Sequence, residues 1–179
     1  MGSRDSCYSA NLSFTDEFIS NMITILFKEG SDEFWKCLKY DSTDALTNST
    51  YTISNADKAR LIKQNTMDTR IKRLRFSDDI SVEAHSEIRI FENGWEEISP
   101  RIFDVEIGFE IISHNDIITL DGTGYSRLNV FRNEILKLFR GRIVDGNIGE
   151  LSTLGLSGRS GAFNNKFQGY KFSMMGGST

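Results

Sequence analysis

The strongest constraint on how this chain folds is a pair of alternating runs with a turn signal between them. From Ser81 to Phe91, Val82, Ala84, Ser86, Ile88 and Ile90 fall on one side of an extended chain, and Glu83, His85, Glu87 and Arg89 on the other. From Ile102 to His114 the pattern returns: Phe103, Val105, Ile107, Phe109 and Ile111 face one way, and Asp104, Glu106, Gly108 and Glu110 the other. A period of two belongs to a strand with one face buried. With Asn93-Gly94 between them, the two runs predict a long antiparallel pair. Trp95–Ile98 adds a short extended piece, and Pro100 stands before the second strand, where it breaks no ladder.

The apolar side of such a sheet needs a cover, and helical periodicity supplies one. Ser13 reads as an N-cap; Phe18, Met22, Ile25 and Leu26 then form one apolar face, and Gly30 a stop, predicting a helix over 14–29. Ser31-Asp32-Glu33 opens a shorter helix carrying Phe34, Trp35 and Leu38. Residues 41–55 are polar and read as a loop, followed by a helical turn around Ala56–Lys63. Arg70 to Phe76 is basic and extended. Ile117–Leu120 reads as a short strand closed by Asp121-Gly122. Leu128, Phe131, Ile135 and Leu138 mark a helix over about 126–140, with Arg127, Arg132, Glu134, Lys137 and Arg140 on its polar side and Gly141 at its stop. Ile148–Leu156 and Phe167–Met174 predict two further strands, joined through the Ser157–Gly161 loop. The expected architecture is α+β: a mainly antiparallel sheet with helices packed on one face, forming one domain over 1–179 with loose termini at 1–12 and 176–179.

Composition narrows the function. The net charge of −4 argues against a general DNA-groove binder, which would be basic. No run approaches the length of a membrane span. The Met1–Ser6 start lacks the apolar core of a signal peptide; it fits the loose myristoylation pattern and reads as a polar, frayed end. Cys7 and Cys37 make neither a disulfide framework nor a Cys-rich metal site, and Cys37, among Phe34, Trp35 and Leu38, reads as a core residue.

Signatures of catalysis are sparse. Glu83, His85 and Glu87 share one strand face, a metal-dependent nuclease being the enzyme such a set would suit. That arrangement lacks a lysine in the usual acidic-strand pattern, and period-two charge is what any half-exposed strand carries. His114, in Ser113-His114-Asn115-Asp116, reads as a hydrogen-bonded strand-end residue. Neither a nucleophile elbow nor a Walker A or dinucleotide-binding glycine motif occurs. No catalytic residue, metal ligand or cofactor is assigned. The basic cluster Arg70, Lys72, Arg73 and Arg75 is expected to pair with the acidic strands or with a neighbouring subunit.

His85–Phe91, Phe103–Asn115, Leu120–Gly124, the helix Arg127–Phe139, Gly146–Leu151 and Lys166–Tyr170, together with Phe34–Tyr40, resemble the neck or tail-terminator (tail-completion) proteins of tailed phages over residues 14–175. That resemblance implies a structural virion protein without enzymatic activity. It implies a ring, usually a hexamer, at the head–tail junction, assembled in the host cytoplasm. The ring would terminate or complete the tail and contact other neck, connector and tail-tube proteins, with DNA only as transiting cargo and no membrane partner. In such a ring, Arg70, Lys72 and Arg75 set against Glu83, Glu87, Asp104, Glu106 and Glu110 would form a subunit interface or line the lumen. The rival readings are the nuclease and a monomeric binding adaptor.

Overall fold

The computed structural model describes residues 5–74, 83–99, 102–144, 151 and 159–177. The expected α+β architecture is what it shows. Among the described residues the helices are α1 (Asp5–Glu29), α2 (Asp32–Lys39), α3 (Asn55–Ile62) and α4 (Arg127–Phe139), and the strands are β1 (Ile71–Lys72), β2 (Ser86–Ser99), β3 (Ile102–His114), β4 (Arg159–Ala162) and β5 (Phe167–Gly177). The strands form one sheet in the order β1-β2-β3-β5-β4. Only the short β1/β2 pairing is parallel.

Side-chain alternation in β2 and β3 sets the core. Ile88, Ile90, Val105, Ile107, Phe109 and Ile111 join Phe172 and Met174 of β5 under Phe18, Met22 and Leu26 of α1, Phe34, Trp35 and Leu38 of α2, and Leu128, Phe131, Ile135 and Phe139 of α4. Each such side chain taken from water contributes about 1.5–3 kcal/mol. Phe109 stacks on Phe172 at 5.0 Å, and Phe34 meets Phe131 edge-on at 5.6 Å.

Several expectations need correcting. Asn93-Gly94 is not the hairpin turn. Such a turn needs positive φ at both residues, and neither has it. Instead Asn93 is a bulge in β2, where the register steps from Glu92↔Ile107 to Gly94↔Glu106, and the strand runs on to Ser99. The 1–12 segment is not loose throughout, since α1 begins at Asp5; no proline or glycine stands between there and Ser13 to stop it. Gly176 and Gly177 likewise belong to β5. Ile117–Leu120 is not a strand. It starts in a 3-10 turn, Asn115–Ile117, and contributes a single bridge, Thr119↔Ser126; so short an apolar run carries no period to decide between the two. The predicted strand Ile148–Leu156 lies outside the described residues except for buried Leu151, and of the Ser157–Gly161 loop the described part, from Arg159, is strand β4.

Helix α4 holds both ends of α2. The Arg127 side chain, expected to be solvated, is fully buried. Its guanidinium donates to the carbonyls of Ile117 (3.0 Å), Cys37, Tyr40 (2.9 Å) and Ser42 (2.5 Å). These include carbonyls at the C-terminal end of α2, where a cation suits the helix dipole. At the other end, Glu134 accepts from the backbone N–H of the N-cap residue Ser31 at 2.9 Å. Beside Arg127, burial pushes the Cys37 thiol up to about 11. No helix of the described residues is long and apolar enough to cross a membrane.

Candidate functional site

The candidate site is the sheet face turned away from the helices. It divides at the bulge into a half whose charges are paired and a half whose acids have no ion-pair partner among the described residues.

In the paired half, the residues predicted to be exposed are buried. Glu87 and Arg89 are almost wholly shielded, as are His85 and Glu110. Glu87 Oε1 accepts from Arg89 Nε at 2.7 Å and faces its Nη2 at 2.5 Å. Its Oε2 meets the Lys72 ammonium at 2.5 Å and the His85 Nε2 at 3.5 Å. The Oε2 contact is an ion pair rather than an aligned hydrogen bond. Burial pushes the Glu87 carboxyl upward, but His85, Lys72 and Arg89 outweigh it and hold it at about 2. One register row across the sheet reads Lys72↔Arg89↔Glu110↔Lys171. Glu110 is neutralised by Lys171 at 2.9 Å. Arg70 lies beside this cluster and pairs with Asp41 at 3.0 Å; burial raises that carboxyl although Arg70 opposes it.

This arrangement can do little acid–base chemistry. A carboxylate held near 2 and faced by three basic groups is a poor general base, and an incoming metal ion would have to displace Lys72 and Arg89. Among the described residues no group of His, Cys, Asp and Glu could hold a metal. Of the nuclease set, His85 and Glu87 come together, whereas Glu83 is exposed and precedes the strand.

His114 caps the 3-10 turn by accepting the Asp116 N–H on Nδ1 at 3.2 Å. The Asp116 carboxylate lies 3.5 Å from the same nitrogen. His114 lines a shallow cleft of about 320 Å³ with Ala84, Asn115, Asp116, Asn165 and Lys166.

The other half is the distal stretch of β2, β3 and β5. Register places Gly94, Glu96, Asp104, Glu106 and Met175 on its outer face, with Glu96 directly opposite Asp104. Like charges opposite one another destabilise a strand pair. Glu106 accepts a hydrogen bond from Asn93 Nδ2 at 2.7 Å, and none of the three acids has an ion-pair partner among the described residues. Of the predicted interface set, the structure therefore brings Lys72 and Glu87 together inside one chain, pairs Glu110 with Lys171, and leaves Asp104 and Glu106 as the acidic surface. Arg75 lies outside the described residues. Sequence reasoning missed Glu96 as the third acid, because the bulge at Asn93 reverses the alternation that would otherwise put it on the other face.

Comparison with curated proteins and with solved structures gives no match. A family model described as YomW matches residues 31–175, from the N-cap of α2 into β5. The match suggests a phage protein. With both the paired charges and the acidic stretch of the sheet inside the matched span, the chain belongs to the YomW family.

Proposed function

We propose that this chain is a structural, non-enzymatic virion protein that forms a ring, a hexamer by resemblance, at the head–tail junction and passes DNA through its lumen. The observation that carries the reading is the contrast within one sheet face. The acids near the body, Glu87 and Glu110, are matched by cations. Those of the distal stretch, Glu96, Asp104 and Glu106, share a face without any such match among the described residues. A protein does not gain stability from like charges left side by side, so their benefit lies outside the protomer. Facing a lumen, they repel the phosphate backbone of passing DNA and keep it from adhering. The phage-associated family supports the setting.

The nuclease reading lacks such support, because Glu87 is occupied by Lys72 and Arg89 and cannot take a metal without losing both. The test is to reverse Asp104 and Glu106 to Lys together in the phage that encodes the chain. Particles are expected to assemble and to eject DNA more slowly, while purified wild-type protein shows a closed ring by electron microscopy, alone or with its neck partner. Unchanged ejection would remove the acidic face from the mechanism, and the absence of any ring in both preparations would overturn the reading.

A further inference from the structure

Asn93-Gly94 is the one place in the sequence where glycine follows asparagine, and the fold sets it at an irregular point of β2. The register with β3 steps from Glu92↔Ile107 to Gly94↔Glu106, so Asn93 is the extra residue of the bulge. Asn93 is exposed. Its side-chain nitrogen Nδ2 donates to Glu106 Oε1 at 2.7 Å, which places the amide on the acidic outer face.

An asparagine amide is open to attack by the backbone nitrogen of the next residue. Three things ordinarily prevent it. A side chain on the next residue blocks the approach, an extended backbone holds the nitrogen away from the amide carbon, and burial keeps out the water that completes the reaction. Gly94 has no Cβ to block the approach, and exposure admits water. The bulge deals with the backbone. His114 N–H donates to His85 O, so narrow hydrogen-bonded pairs recur at every second residue from there, and the bulge opposite Glu106 falls at one of them. Asn93 lacks the positive φ of a glycine-type bulge. The form left bends its first residue toward the αR region, away from the ψ of a strand.

We propose that Asn93 is a self-modifying site that converts to an acid. The Gly94 nitrogen attacks Asn93 Cγ, the Cγ–Nδ2 bond breaks, and the proton of the Gly94 N–H leaves with Nδ2 as ammonia. A five-membered succinimide remains, with nothing oxidised or reduced. Water then opens the ring at either carbonyl and leaves aspartate or isoaspartate at position 93. The hydrogen bond to Glu106 is lost, since a carboxylate has no proton to donate, and a further acid joins Glu96, Asp104 and Glu106 on the same face. The isoaspartate form also lengthens the backbone of β2 by one carbon, at the bulge. The chemistry is independent of the ring reading.

The full chain is warmed at mildly alkaline pH, which favours loss of the Gly94 amide proton, with circular dichroism to follow folding. Trypsin digestion and mass spectrometry then read the peptide Ile90–Arg101, whose only asparagine is Asn93. That peptide is expected to gain one mass unit ahead of the peptide carrying Asn164 and Asn165, which are also exposed but are followed by Asn165 and Lys166. Gly94→Ala should leave the fold intact, because a Cβ there meets nothing within 4 Å, and should slow the gain about tenfold. Asn93→Gln should abolish it. Conversion of Asn164 or Asn165 while Asn93 stays intact overturns the proposal, as does a gain that appears only when the chain is unfolded in urea. An unchanged rate in folded Gly94→Ala overturns it too, since the Gly94 nitrogen is then not the attacking group.

Discussion

Replacing Arg127 by Leu should be among the most damaging single changes outside the apolar core. The side chain is fully buried, and its four contacts are backbone carbonyls. A buried ion pair can often be exchanged for apolar residues, because both partners are side chains. Here the acceptors cannot be substituted away. The bonds to Ile117 and Cys37 are buried and those to Tyr40 and Ser42 partly so. Leaving two buried acceptors without donors costs about 2–6 kcal/mol, at about 1–3 kcal/mol each. Loss of the cation at the end of α2 adds about 0.5–1 kcal/mol. Leucine recovers about 1–2 kcal/mol through apolar burial and the relief of a desolvated charge. The net loss is about 3 kcal/mol, a large part of the roughly 5–15 kcal/mol that holds a domain together. Urea unfolding followed by circular dichroism, with wild-type slope retained, measures it. Glu134→Gln is the companion change: its amide oxygen can still accept the Ser31 N–H, so it should cost about 1 kcal/mol or less. A loss below about 1 kcal/mol for Arg127→Leu would mean that water replaces the guanidinium and that the clamp on α2 is not structural.

Two further outcomes follow from the sheet. The Glu87 carboxyl is depressed from 4.5 to about 2 in the folded chain, so its stabilising effect is fully present above about pH 4.5 and is lost as pH falls toward 2; the difference is worth about 3 kcal/mol. Acid unfolding of wild type beside Glu87→Gln should show the variant's stability varying less across that window, and parallel curves would refute the assignment. Gly169→Ala would drive a methyl group into the carbonyl of Ile111 and within 2.7 Å of the Phe163 ring. Backbone cannot yield there without breaking the β3/β5 pairing, so a loss of about 3 kcal/mol or more in thermal or urea unfolding is expected. Unchanged stability would show that the strands are spaced differently.

Periodicity in the chain determines where most elements lie and which side of each is apolar. The face of Val105, Ile107, Phe109 and Ile111 was legible, as was the stripe of Leu128, Phe131, Ile135 and Leu138, because alternation and helical spacing are local consequences of backbone geometry. The Ser31 cap and the Gly141 stop, where φ is 72°, were legible for the same reason. Tertiary structure alone decided the fate of the charges. Pattern identifies a side of a strand as polar but does not say what covers it, and Glu87, Arg89 and Glu110 looked solvated until Lys72 and Lys171 were brought beside them. Arg127 depends on a carbonyl 90 residues away, and Glu134 on an N–H 103 residues away. Nor did the chain announce the bulge at Asn93, because Asn-Gly suits both a turn and an irregular strand; pairing with β3 settled it, and so selected which acids share the outer face.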